Sequence, residues 1–141
     1  MKQYNYSNFT LEIPADWEDQ SITAFSAPKD NKAIVPNIVI TIDHLQNNET
    51  LESYTDRQLV EIVKRLNNFK LLKKNSYNLD YLKGIEINYT WTSSNGSLFQ
   101  KLVLLLNRED EITNFTVTTS ENDYSEYESI FDDILRSVKF Y

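Results

Sequence analysis

The sequence predicts an α+β fold: a mostly antiparallel sheet of about six to seven strands, with two main helices packed against it. Three observations lead there. Short runs alternate apolar and polar residues with a period of two, as a strand does when one face meets a core. Two stretches, Glu49 to Leu66 and Asp123 to Val138, change to helical spacing. Asn95-Gly96 lies between two alternating runs, and this pair favours the tight turn of an antiparallel hairpin. With 141 residues, one domain spanning 1–141 is the default.

The first strand is NFTLEIP, where Phe9, Leu11 and Ile13 alternate with Thr10 and Glu12 until Pro14 stops it. ADWEDQ follows as a turn, with Trp17 tucked back. SITAFSA is a short strand, with Ile22 and Ala24 on one side and Thr23 and Phe25 on the other. After the loop PKDNKAIVP, NIVITIDH sets Ile38, Ile40 and Ile42 against Val39 and Thr41. The first helix carries Leu51, Tyr54, Leu59, Ile62, Val63 and Leu66 on one arc, with Asn48 or Thr50 as N-cap and an end near Asn67-Asn68. FKLLKKNSYNL and KGIEINYTWT are the next strands, then GSLFQKLVLLLN beyond the hairpin turn, the turn NRED, and EITNFTVTTS. The closing helix places Tyr124, Tyr127, Ile130, Phe131, Ile134, Leu135 and Val138 on one stripe; Asp123 is the expected cap, with Glu126 in the capping-box position.

One strand does not fit a sheet with a wet face. GSLFQKLVLLLN has Leu98, Gln100, Leu102, Leu104 and Leu106 on one side and Phe99, Lys101, Val103 and Leu105 on the other. Both sides are apolar, unlike an antiparallel strand that is half solvated. Two helices cover one face of such a sheet more easily than both. The second face is therefore expected to be covered by a second copy, a partner, or both, because large open apolar faces mark binding sites. The alternative is that helix placement or a bent sheet covers everything. Gln58 in the helix arc and Gln100 in the strand are amides on otherwise apolar faces. Each amide either satisfies nearby groups of the fold or points into a groove to bond a guest. Left unpaired and buried, either costs about 1–3 kcal/mol. In the groove reading, replacing both by Ala weakens capture and leaves the melting temperature unchanged.

Composition excludes several function classes. The net charge is -7, and the only tight basic pairs are Lys64-Arg65 and Lys73-Lys74, which argues against nucleic acid and anionic membrane surfaces as partners. Without Cys there are no disulfides, thiolate metal sites or cysteine nucleophiles. MKQYNYSNFTLEIP has no apolar targeting core, and LVLLL is too short to span a bilayer, so a cytoplasmic location without direct membrane anchoring is expected. His44 is the only histidine, too little for a metal centre or a serine triad. The two glycines build no phosphate loop. Asp16, Glu18 and Asp19 occupy a turn, where acids are ordinarily solvated. The expectation is a protein with no catalytic residue, metal or cofactor.

The succession IPADWEDQSITAF, PNIVITIDH, YTDRQL, KGIEINYTW, G-SLFQKLV and ILRSVKF resembles the DcrB-like family, and within it the Eag chaperones of type VI secretion effectors. The resemblance covers nearly the whole chain and implies a Mog1/PsbP-like α/β sandwich with an antiparallel sheet. It also implies a cytoplasmic homodimer. This dimer would bind the N-terminal transmembrane helices of effectors that carry a PAAR spike-tip domain, and would shield them until loading on the secretion spike. The family's groove is lined by aliphatic residues of the second and third strands and by glutamines. By motif position these are Ile22, Ala24, Val39, Gln58 and Gln100 here. Leu98, on the Gln100 side of its strand, completes the expected partner-binding set. Ala24 is smaller than the aliphatic side chain expected there. Two other classes remain open: a module that binds a small ligand between sheet and helices, and a Mog1-like adaptor that binds a folded protein through its acidic surface.

Overall fold

Residues 1–141, described by a computed structural model, form eight strands and two helices. In chain order these are β1 (Lys2–Asn5), β2 (Thr10–Ile13), β3 (Thr23–Ser26), β4 (Asn37–His44), α1 (Leu51–Arg65), β5 (Lys70–Leu79), β6 (Leu82–Ser93), β7 (Gly96–Asn107), β8 (Glu111–Ser120) and α2 (Tyr124–Arg136). β1 and β2 pair as a separate two-stranded ribbon. The other six make one sheet in the order β3-β4-β8-β7-β6-β5, antiparallel at every step. The expected α+β class holds.

Local chemistry accounts for the boundaries. Thr50 caps α1: its side chain accepts from the Ser53 amide, and the Ser53 hydroxyl accepts from the Thr50 amide. Asn48, the other candidate, takes a left-handed conformation at φ 63° and stands outside the helix. Gly96 enters β7 at φ 120°, which a side chain would resist. Two expectations fail. Asp123 makes no capping bond to α2, because its carboxylate is drawn to Lys32, 3.1 Å away. Trp17 is not tucked back; it is 61% exposed. β1 was not legible in KQYN, which lacks an apolar alternation, and it exists because β2 offers it a paired edge.

The topology answers the question raised by β7, which lies between β8 and β6 near the middle of the sheet. Its even-numbered row packs with Leu51, Tyr54 and Ile62 of α1, together with Ile85, Ile87, Tyr89 and Ile112. Its odd-numbered row packs with Phe131 and Leu135 of α2, together with Ile38, Phe115 and Val117. The helices therefore lie on opposite faces, and β7 is apolar on both sides because each face has its own helix. The expectation that a second copy or partner must cover the second face of this strand is overturned. Chain connectivity is the reason. α1 belongs to the crossover from β4 to the far edge strand β5 and lies over one face, whereas α2 follows β8 and folds back over the other.

The α2 face also holds a buried ion cluster. Lys101 Nζ lies 3.1 Å from Glu86 and 3.2 Å from Asp132 of α2, and Tyr124 of α2 stacks on Phe99 at 3.6 Å. Burial alone would lower the Lys101 pKa, but hydrogen bonds with Glu86 and Tyr124 outweigh it and raise the pKa well above the lysine range. Lys101 is thus charged and ties α2 to β6 and β7.

Candidate functional site

The alternation of the strands decides which residues share a face with α1. Cross-strand pairing puts Tyr89 beside Gln100, Gln100 beside Thr118, Leu102 beside Thr116, Thr116 beside Val39, and Val39 beside Ala24. These two neighbouring rows together cross five strands on the α1 side. α1 covers the β6–β7 half of that face. Towards β8, β4 and β3 the cover stops: Val39, Thr41, Thr116 and Thr118 are half-buried and Ala24 is exposed. The open half mixes aliphatic groups with hydroxyls, which lets it meet water without a large dry patch.

Where cover gives way to open sheet, a groove of about 270 Å³ runs between α1 and the strands. Gln58 and Ile62 line it from α1, Gln100 and Leu102 from β7, and Asn114 and Thr116 from β8. The two glutamines singled out in the sequence therefore meet at one site, from elements far apart in the chain.

Their bonding differs. Gln100 is engaged within the fold: Trp91 Nε1 donates to Gln100 Oε1 at 2.9 Å, and Gln100 Nε2 donates to Thr118 Oγ1 at 2.9 Å. This chain links β6, β7 and β8 and sets the amide's orientation. Gln58 has no side-chain hydrogen bond within the chain and is half-buried, so its amide is the adaptable one. The sequence left two readings open for each glutamine. Gln100 is satisfied within the fold, with side chains rather than backbone as partners, whereas Gln58 lines the groove with its amide unbonded within the chain.

A third amide was not anticipated. Asn114 Nδ2 donates to Tyr54 Oη at 3.2 Å, and Tyr54 Oη donates to Asp43 Oδ2 at 2.8 Å. Burial, opposed by the Asn114 bond and reinforced by the Asp43 bond, pushes the Tyr54 pKa up to about 12, so the phenol keeps its proton. The only sequence hint was an Asn inside a strand, where that residue is disfavoured.

Of the six expected partner-binding residues, Ala24, Val39, Gln58, Leu98 and Gln100 stand on the α1 side of the molecule, with only the glutamines in the groove. Leu98 is buried opposite Trp91 and serves the core. Ile22 is 65% exposed just before β3 and lines a different cavity, with Tyr4, Ile40 and Ile42. Pairing of β3 with β4 begins only at Thr23, so the strand alternation does not hold Ile22 beside Ala24. His44 is exposed, 3.8 Å from Asp110, and no group of three or more acidic, His or Cys residues could hold a metal ion.

The chain matches the DcrB family over residues 9–137. It belongs to the DcrB family. This DcrB-family chain is also similar to the Pseudomonas aeruginosa protein named Effector EagT6, with 28% identity over 138 residues, 98% of this chain and 95% of the relative. The sequence resemblance to an Eag protein within the DcrB-like family therefore holds. Among solved structures, a P. aeruginosa protein of unknown function, PA94, described as a putative regulator, superposes with a TM-score of 0.83 at 28% identity, covering 100% of this chain and 97% of the other. The solution structure of cyanobacterial PsbP from Synechocystis sp. PCC 6803 gives 0.59 at 15% identity, covering 99% and 92%. LpqN of Mycobacterium tuberculosis gives 0.50 at 8% identity, covering 83% and 82%. These two share the fold, and the PsbP-like expectation is met. No helix of this chain is long and apolar enough to cross a membrane.

Proposed function

We propose that this DcrB-family chain is a non-enzymatic cytoplasmic chaperone acting as one unit over residues 1–141. Its guests are the N-terminal transmembrane helices of a type VI secretion effector with a PAAR domain, which it shields from water until loading on the secretion spike. The observation that carries this reading is the half-covered α1 face, where aliphatic and hydroxyl groups lie open beside a groove holding Gln58 and Gln100. The family membership and the similarity to an Eag protein support it. A guest helix laid across β3, β4 and β8 exchanges water for contact with Val39, Ala24 and the threonine methyls. Its own polar side chains, which form interhelical hydrogen bonds inside a membrane, meet the groove instead. The working form is a homodimer, in which two such faces take paired apolar segments.

Co-expression with the N-terminal region of the effector encoded by the neighbouring gene tests this. The chaperone is expected to keep that region soluble and to co-purify with it. Equal solubility of the region with and without the chaperone, and no co-purification, would refute the proposal.

A further inference from the structure

The Asn114 amide carries an acceptor that the fold does not use. Asn114 Oδ1 and Asn88 Oδ1 are the two buried side-chain polar atoms without a hydrogen-bond partner in the chain. Asn88 pairs across from Lys101, on the α2 side. Asn114 lines the groove. Its orientation follows from its neighbours. Asp43 takes the Tyr54 proton, so the Tyr54 oxygen can only accept from Asn114. The Nδ2 end therefore faces Tyr54, and flipping the amide would set two acceptors against each other. Oδ1 is left pointing away with nothing to receive. A buried polar group without a partner costs free energy, and such exceptions call for an explanation.

We infer that Asn114 Oδ1 is the specificity-determining acceptor of the groove, and that it selects a guest helix presenting a neutral hydroxyl donor, a Ser or Thr side chain, at that depth. The inference rests on the transmembrane-helix reading given above. The groove floor of Ile62, Leu66, Leu102 and Leu104 suits an apolar helix. Arg65 lines the same groove, so a Lys or Arg of the guest would meet a like charge there and lose its water as well. A hydroxyl is the smallest neutral donor, and a membrane helix carries it without losing its ability to insert. Less than 1 Å² of Oδ1 is exposed, so the guest hydroxyl reaches it by parting the groove lining. Gln58, which has no side-chain bond to break, is the group that can give way. The division of labour is then clear: Gln100 is a fixed wall held by Trp91 and Thr118, Gln58 adapts, and Asn114 reads the guest.

The test uses apolar host helices of about twenty Leu and Ala residues, fused to a soluble carrier protein. One host is all apolar, and the others carry a single Ser walked through the central turns. Binding is measured to the wild-type protein, to Asn114→Leu and to the smaller, β-branched Asn114→Val, each first shown folded by circular dichroism and thermal melting. In at least one register the Ser host is expected to bind the wild type about tenfold more tightly than the all-apolar host. Both variants are expected to bind the two hosts equally. A Lys host is expected to gain nothing over the all-apolar host. The inference is overturned if no Ser register gains, if the gain survives in both variants, or if Lys gains as Ser does. Binding of the all-apolar host without any Ser gain overturns this inference and leaves the chaperone proposal standing. Failure of every host to bind overturns both.

Discussion

The wiring of Gln100 changes what its removal should do. If the glutamines served only a guest, Gln58→Ala and Gln100→Ala together would weaken capture at no cost to the fold. The structure separates them. Gln100→Ala breaks two 2.9 Å hydrogen bonds, one from the Trp91 indole and one to Thr118. Each such bond contributes about 1 kcal/mol net. The half-buried Trp91 N–H is then poorly solvated, which adds a fraction of its desolvation cost. The expected loss is about 2–3 kcal/mol. For a chain of 141 residues this corresponds to a fall in melting temperature of about 8–12 °C, at about 4 °C per kcal/mol. Gln58→Ala removes no bond within the chain and puts Ala, the best helix former, inside α1, so its stability should stay within about 0.5 kcal/mol of wild type. Urea denaturation followed by circular dichroism measures both variants, and tryptophan fluorescence in a Trp17→Phe background reports the Trp91 environment. If Gln100→Ala is as stable as wild type, the Trp91–Gln100–Thr118 chain does not hold the strands. If Gln58→Ala falls as far as Gln100→Ala, Gln58 is structural and the assignment of the adaptable amide is wrong.

Three further outcomes follow from the same physics. Lys101→Met leaves Glu86 and Asp132 without their shared cation; Lys73, 3.5 Å from Glu86, and the partial exposure of Asp132 soften the loss, which should be about 2–3 kcal/mol in denaturant titration; a loss below about 1 kcal/mol would mean that the cluster does not anchor α2. Gly84→Ala would place a Cβ 2.7 Å from Leu105 Cδ2 and 2.9 Å from the Tyr77 carbonyl oxygen, so β5 and β6 must shift, and a loss of about 1–3 kcal/mol is expected; unchanged stability would show that the sheet yields freely there. Burial raises the Tyr54 and Tyr89 pKa values from 10.0 to about 12, so both groups support the fold below pH 10 and that support is lost as pH rises from 10 to 12. Each should contribute about 2–3 kcal/mol to the alkaline loss, and melting curves for Tyr89→Phe should show a shallower decline over that range; a slope equal to wild type would contradict the assignment.

Much of the architecture was legible because it is written in local periods. The alternation in NIVITIDH, KGIEINYTWT and EITNFTVTTS, the helical arc from Leu51 to Leu66, and Asn95-Gly96 each reflect constraints within a few residues. Thr50 as a cap was legible for the same reason. Where the residue's best partner lies far along the chain, the local reading failed. Asp123 was expected to cap α2, but its carboxylate pairs with Lys32, which is distant in sequence and 3.1 Å away in space. β1 needed β2, and Trp17 needed a surface that the fold does not bring to it.

By itself the sequence determined the fold class, the two-sided character of β7 and the anomaly of two amides on apolar faces, because these are properties of side-chain order along a strand or helix. Which helix covers which face was decided by the tertiary structure alone. So was the split between a bonded Gln100 and an unbonded Gln58, and so was the bond that ties Asn114 to Tyr54. Those depend on Trp91, Thr118, Tyr54 and Asp43 arriving from other strands and from α1. A hydrogen bond is settled within a few tenths of an ångström, and no spacing along one chain segment encodes a distance between two of them.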